Sequence, residues 1–132
     1  MLFGILTYLE FEENMSANKP YNLEERTFEF ARDVRFFVKA LPKTIANIED
    51  SKQVVKSSGS VGANYIEANE KLSKKDFLFR MKISRKEAKE SVYWLRLIDS
   101  TNNLENTKVA KDLINEAIEL KKILSSIIDK SQ

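Results

Sequence analysis

The chain has 132 residues, 22 basic and 20 acidic side chains and a formal net charge of +2, and it contains neither cysteine nor histidine. This length fits a single domain that buries about two-thirds of its unfolded surface. The missing residue types exclude the usual zinc, copper and iron sites, Cys–His and Ser–His–Asp catalysis, and the Glu-x-x-His sites of ferritin-type bundles. Carboxylate-only magnesium or calcium sites stay open, but no EF-hand spacing is present. We expect no bound metal and no cofactor.

The N-terminal segment MLFGILTYLEF is apolar for nine residues and then turns acidic. It is too short to span a bilayer, and it has neither a basic n-region nor a small-residue cleavage site. We therefore expect a soluble, cytoplasmic protein with no membrane association. Residues 1–19 are predicted to form an arm, which is either loosely held or docked on a partner as a strand or helix.

Capping patterns and apolar spacing predict four amphipathic helices within one domain of residues 20–132. Asn22 with Glu25 three residues later opens the first helix, and Ser73 with Asp76 opens the third. Apolar positions on the first helix recur at spacings of three and four: Leu23, Thr27, Phe30, Val34, Phe37 and Leu41. The predicted helices cover about residues 23–41, 43–71, 74–99 and 107–130. Because strand-type alternation is nowhere sustained, the sequence predicts an all-α, antiparallel up-down four-helix bundle.

The stretch KSSGSVGANYIEANE, residues 56–70, is open to two interpretations, a phosphate-binding loop or part of the second helix. The loop interpretation is weak, because the glycine spacing lacks the Gly-Lys-Ser/Thr ending of a Walker motif and the third glycine of a dinucleotide fingerprint. It matches the Gly-x-x-Gly clamp of the KH module, but no strands flank it. As a helix, the segment presents the small residues Gly59, Gly62 and Ala63 for close packing, at about 1 kcal/mol for each glycine. It also aligns one polar stripe: Ser57, Ser60, Asn64 and Glu67.

A second polar stripe crosses the apolar face of the third helix: Arg80, Ser84, Glu87 and Ser91. Buried charges need partners that pair with them and hydrogen-bond to them. We predict that the two polar stripes face each other and form a buried polar network that fixes the register of the two helices. A catalytic or ligand site is the alternative, but no nucleophile with an obvious base stands out.

The third helix is also the basic part of the chain, with eight basic and four acidic residues between positions 74 and 101. At about 100° per residue, seven of its cations share roughly a third of the circumference. This cationic ridge consists of Lys74, Lys75, Lys82, Arg85, Lys86, Lys89 and Arg96. It is interpreted either as an electrostatic track for nucleic-acid phosphates or as a solvated face of a lysine-rich helix.

Two helices carry a second apolar face beyond the one that a lone bundle needs. Phe28 and Phe36 lie off the main stripe of the first helix, and the second helix adds Ile45, Ile48, Val55 and Ile66. Extra apolar faces indicate burial against another subunit. We therefore expect a homo-oligomer.

The runs SSGSVGANYIEAN and KKDF…RKEAKES, within residues 20–130, resemble a known family. The similarity is to the bacterial four-helix-bundle proteins encoded in intervening sequences of 23S ribosomal RNA genes. These proteins are in turn similar to the accessory protein of diversity-generating retroelements, a pentameric bundle that binds nucleic acid and the reverse transcriptase. The resemblance implies an antiparallel bundle, commonly a pentamer, without catalytic activity.

The family signature at the end of helix two is serine, a short spacer and Asn-Ile-Ala-Glu-Gly. Ser60, Asn64 and Glu67 match its serine, asparagine and glutamate, whereas Ala68 replaces the final glycine. By the same resemblance, the glutamate and serine of the family's helix three correspond to Glu87 and Ser91 or their near neighbours. The departures from the signature indicate a distinct subgroup.

Three functions are open at this point. The favoured one is a non-enzymatic oligomeric accessory protein that binds RNA or DNA backbone through the cationic ridge. The alternative is a protein–protein interaction scaffold that does not bind nucleic acid. An enzyme acting through Glu67, Arg80 and Glu87 is the least favoured.

Overall fold

The structure is a computed structural model that describes residues 22–70, 72–103 and 107–132. These residues form four helices and no strands: α1 (Leu23–Lys39), α2 (Ile45–Ala68), α3 (Lys74–Thr101) and α4 (Thr107–Ser131). The prediction of an all-α four-helix protein is confirmed. Each helix boundary lies within three residues of its predicted position. The predicted arm, residues 1–19, lies outside the described residues.

Side-chain caps define where three of the helices begin. Asn22 Oδ1 accepts a hydrogen bond from the Glu25 amide at 3.0 Å, and Ser73 Oγ accepts one from the Asp76 amide at 2.9 Å. The α2 helix begins two residues later than predicted because Thr44 Oγ1 caps the Asn47 amide at 3.1 Å. Each cap satisfies an amide that has no partner within its own helix.

The helices pack as a ring of neighbours around one core. Helix α1 lies beside α2 and α4, and α3 lies beside the same two, whereas in the described ranges no Cα atoms of the diagonal pairs come within 8 Å of each other. This is the arrangement of a bundle in which consecutive helices are antiparallel neighbours. The fully buried core side chains include Phe30, Val34, Val54, Val61, Met81, Leu95, Ile98, Leu120, Leu124 and Ile128.

The close approach of α1 to α2 depends on Gly62. A Cβ atom at Gly62 would lie only 2.8 Å from Thr27 Oγ1 and 3.1 Å from Thr27 Cβ. A Cβ at Gly59 would meet only the end of the flexible Arg35 side chain, at 3.1 Å, and Ala63 is exposed. Of the three small residues predicted to form a packing face, Gly62 is therefore the one that close packing requires.

Polar contacts join the helices at their margins. On the side between α1 and α4, the Arg26 guanidinium donates to both carboxylate oxygens of Glu116, at 2.6 and 2.7 Å. At the start of α2, the side-chain amides of Asn47 and Asn102 bond each other reciprocally at 2.7 and 2.8 Å. The side-chain Nδ2 of Asn47 also donates to the Pro42 carbonyl at 2.9 Å, so Asn47 links the α1–α2 connection to the end of α3. Within the described ranges, no helix is long and apolar enough to cross a bilayer.

Candidate nucleic-acid interface

The cationic ridge occupies the outer face of α3. The core face of this helix is defined by six buried residues: Met81, Ser84, Ala88, Ser91, Leu95 and Ile98. The ridge residues lie on the other side, and all of them are exposed except Arg85, which is half-buried. From Lys74 to Arg96 the ridge extends about 33 Å at the rise of an α-helix. The ridge therefore places positive charge along most of the length of one side of α3.

The acidic side chains of α3 do little to neutralise this surface. Asp76 pairs with Arg80 at 3.8 Å, and Asp99 pairs with Lys111 of α4 at 3.3 Å, so both contact cations outside the ridge. Glu87 alone among them forms an ion pair with a ridge residue in the described structure, at 3.6 Å from the highly exposed Lys86. Such a pair between a lysine in solvent and a nearby carboxylate is weak. The ridge therefore keeps an excess of positive charge.

Two aromatic residues on the same face were missed by the sequence analysis. Phe79 and Tyr93 are 58% and 56% exposed, and they lie about 20° to either side of Lys86 around the helix. The signal that would have identified them is the i, i+3/i+4 spacing that they share with the lysines.

Three members of the predicted polar network form bonds between α2 and α3 or within α3. The hydroxyls of Ser57 and Ser91 lie 2.8 Å apart across the interface, and the Ser84 hydroxyl donates to the Val61 carbonyl at 2.6 Å. Ser91 also lies 2.9 Å from the Glu87 carbonyl, to which its hydroxyl can donate. All three serines are buried. Satisfied buried hydroxyls favour one register of the two helices over its neighbours.

The other members of the predicted network, Ser60, Asn64, Glu67, Arg80 and Glu87, form no side-chain bond between α2 and α3 in the described structure. Ser60 donates to the Lys56 carbonyl and Asn64 to the Ser60 carbonyl, both at 2.9 Å and within α2, while Glu67 is exposed. Arg80 pairs with Asp76 of its own helix instead. The reason is angular: Ser60 and Glu67 lie about 100–120° around α2 from the buried Val61, which places them on the flank of the interface.

The local environment of Glu87 shifts the pKa of its carboxyl group upward. Its side chain is only 14% exposed. Burial raises the pKa of Glu87, the charge of Glu90 raises it further, and the charge of Lys86 lowers it. Burial also raises the pKa of Asp33 on α1, against the charge of Arg32. In both cases the protein interior disfavours the ionised carboxylate.

We expect Glu87→Gln to stabilise the protein at pH 7, because the folded protein no longer holds a partly buried charge at this position. A raised folded-state pKa means that the stability associated with Glu87 is present at low pH and is lost as the pH rises through that pKa. The difference in melting temperature between the variant and the wild type should therefore be largest at neutral pH and shrink toward pH 4. In a Glu90→Gln background the effect should be smaller, because one cause of the shift is gone. A difference that is constant with pH would contradict this assignment.

Together these features define a class: a four-helix bundle whose third helix presents a cationic outer face and bonds to the second through buried hydroxyls. The model of the 23S rRNA-intervening sequence protein family matches residues 20–126, and the chain belongs to that family. The earlier resemblance to this family is thereby confirmed. The similarity to the accessory protein of diversity-generating retroelements stays a prediction.

Among solved structures, the chain is similar to a protein of unknown function from the S23 ribosomal protein family of Bacteroides thetaiotaomicron. The two share 32% sequence identity with a TM-score of 0.70, over 80% of this chain and 94% of the other. The comparison with curated proteins gives no match.

Proposed function

We propose that this protein is a non-enzymatic, homo-oligomeric accessory protein of the cytoplasm that binds the phosphate backbone of RNA or DNA through the cationic ridge of α3. The observation that carries the proposal is the position of the ridge. Its seven cations lie on one solvent-facing side of a 28-residue helix, while the acidic residues of that helix lie on its flanks.

Binding to phosphate groups requires few features other than exposed cations on one surface. Lysine and arginine side chains that neutralise phosphates release condensed counterions, which gives strong binding at low salt and a steep decline as salt rises. The ridge offers long, exposed side chains and no set of base-reading amides, so it suits backbone contact more than sequence readout. Repeating the ridge in several subunits raises the avidity for a long strand without any new contact.

The proposal of a homo-oligomer is supported by apolar side chains that the isolated chain leaves in solvent. On α1, Phe28 and Phe36 are exposed, and on α2, Ile45, Ile48 and Ile66 are exposed; Ile45 reaches 85%. Val55, which the sequence analysis placed on the same face, is half-buried. Monomeric proteins rarely expose large contiguous apolar patches, whereas subunit interfaces bury them.

Charge reversal on the ridge tests nucleic-acid binding. The triple variant Lys82→Glu, Lys86→Glu, Lys89→Glu should bind a labelled RNA or DNA strand of about 16 nucleotides about 10- to 100-fold more weakly than the wild type. The log–log slope of affinity against salt should fall by about three, one for each lost phosphate contact. Fluorescence anisotropy between about 50 and 200 mM salt measures both quantities.

The matched control changes the net charge equally at exposed lysines off the ridge. It carries Lys39→Glu on α1, Lys52→Glu on α2 and Lys108→Glu on α4, and it should retain most of the affinity. If the two triple variants lose equal affinity, net charge rather than the ridge is responsible. If the wild type binds neither RNA nor DNA at low salt, the proposal fails. A single protein partner captured in stoichiometric amount after nuclease treatment would then favour the interaction scaffold.

A further inference from the structure

The outer face of α3 carries two aromatic rings among its cations, with the half-buried Glu90 beside the rings. Successive members of this stripe are three or four residues apart, the spacing of one helix face. The stripe runs Lys75, Phe79, Lys82, Lys86, Lys89, Tyr93 and Arg96. The six buried residues of α3 define its core face, whereas all seven members of the stripe are exposed. The exposed aromatic rings are therefore part of the proposed binding surface.

Each ring contacts a neighbouring side chain, while Phe79 and Tyr93 both stay more than half exposed. Trp94 meets Tyr93 edge to face, with ring centroids 5.0 Å apart and an interplanar angle of 78°. The guanidinium carbon of Arg80 lies 5.8 Å from the centroid of the Phe79 ring. Such contacts restrict the motion of a ring before a ligand arrives, which lowers the entropy lost on binding.

We propose that the ridge is a track for single-stranded nucleic acid, in which Phe79 and Tyr93 stack on unpaired bases while the lysines contact the phosphates. This inference rests on the proposed function and specifies its ligand. Cationic grooves with aromatic platforms are the general solution for binding single strands, because every base has a π-face. In a duplex the faces of the bases are already stacked on each other, so the rings have nothing comparable to contact.

The spacing of the rings fits this kind of ligand. Phe79 and Tyr93 are fourteen residues apart on one face, which is about 21 Å along the helix axis. At the rise of about 3.4 Å per nucleotide in a stacked strand, this distance covers roughly six nucleotides. Lys82, Lys86 and Lys89 lie between the rings and are exposed, so they are placed to contact the intervening phosphates.

The test combines two protein changes with two strands. The variant Phe79→Leu, Tyr93→Leu keeps apolar side chains and helix propensity but removes the rings, and it should bind an oligothymidylate about 5- to 100-fold more weakly for each ring lost. Its salt slope should not change, since no cation is removed. An abasic strand of equal length has no bases to stack, so the wild type and the variant should bind it equally. Leu72→Ala, at an 82% exposed apolar side chain outside α3 and outside the proposed subunit interface, is the control and should leave affinity for the oligothymidylate unchanged.

The outcomes separate this inference from the proposed function. If the double variant binds the oligothymidylate within twofold of the wild type while charge reversal on the ridge abolishes binding, the track contacts backbone only and the stacking is refuted. Equal or tighter wild-type affinity for a duplex of the same length would also overturn the preference for single strands. If the wild type binds no strand, and loss of the rings instead lowers its native mass, the rings belong to a protein interface and both proposals fail.

Discussion

Arg26→Met should lower the free energy of unfolding by about 3 kcal/mol, which for a chain of this size is a loss of roughly 8–12 °C in melting temperature. The Arg26 side chain is only 6% exposed, and it donates to both carboxylate oxygens of Glu116, which is 18% exposed. Removing the guanidinium leaves a largely buried carboxylate without its bidentate partner, and desolvation of that charge is no longer compensated. Chemical denaturation monitored by far-UV circular dichroism measures the loss.

A double variant separates the net contribution of the Arg26–Glu116 pair to stability from the cost of leaving one buried partner unpaired. Arg26→Met, Glu116→Leu leaves no buried charge behind, so it should be more stable than Arg26→Met alone. Lys108→Met is the exposed control, since Lys108 and Asp112 form an ion pair at 3.0 Å in solvent, and we expect a loss below about 1 kcal/mol. A single-variant loss no larger than this control would show that the Arg26–Glu116 pair does not hold α1 against α4.

Gly62→Val should destabilise the fold by about 3 kcal/mol, because overpacking at a tight helix contact forces backbone movement or strained rotamers. The new Cβ would lie 2.8 Å from Thr27 Oγ1, on a buried β-branched side chain that cannot turn away. Thr27 Oγ1 also donates to the Glu24 carbonyl at 2.9 Å, which holds it in position. Thermal and denaturant unfolding of the variant measure the effect.

Gly59 provides the matched control on the same helix. The same substitution, Gly59→Val, meets only the end of the Arg35 side chain, which can move into solvent. Since valine also has a higher helix propensity than glycine, we expect Gly59→Val to change the free energy of unfolding by between about zero and a gain of 0.5 kcal/mol. Adding Thr27→Ala should recover part of the stability lost in Gly62→Val, because it removes the clashing hydroxyl. Equal losses of stability in Gly59→Val and Gly62→Val would mean that the altered backbone preference of α2, and not the contact with α1, causes the loss.

The cationic ridge and the contacts of α1 are physically separate, which helps the functional tests. None of the ridge residues lies on α1, and in the described ranges no Cα atom of α1 comes within 8 Å of one in α3. Variants at Arg26 and Gly62 should therefore retain their affinity for nucleic acid at temperatures where they are folded, while variants of the ridge should retain their stability.

The capping residues and the apolar periodicity were sufficient to predict the helices. Asn22 and Ser73 cap α1 and α3 as expected, because a cap is a local interaction that depends on residues three positions apart. The exposure of the ridge lysines followed from their position opposite the apolar face. The serines Ser57, Ser84 and Ser91 were identified as polar residues on buried faces for the same reason.

The sequence did not predict which polar side chains bond to each other across the bundle. Periodicity places Ser60, Asn64 and Glu67 near the stripe that includes Ser57, but a rotation of α2 by a few tens of degrees decides which side chains reach α3. The interhelical packing set that rotation: it directed Ser57 to Ser91 and left Glu67 in solvent. Likewise, nothing in the pattern of α1 and α4 predicted that Arg26 would meet Glu116, ninety positions away.

The sequence by itself therefore determined the number of helices, their boundaries to within a turn, the single core face of α3 and the cationic face opposite it. These features depend on interactions within one helix and on the burial of apolar side chains, both of which are recorded in residue spacing. Only the tertiary structure decided which glycine is needed for close packing, which polar residues bond across the bundle, and that Phe79 and Tyr93 remain in solvent among the lysines. Those outcomes depend on the rotation and separation of neighbouring helices, which the spacing within each helix leaves open.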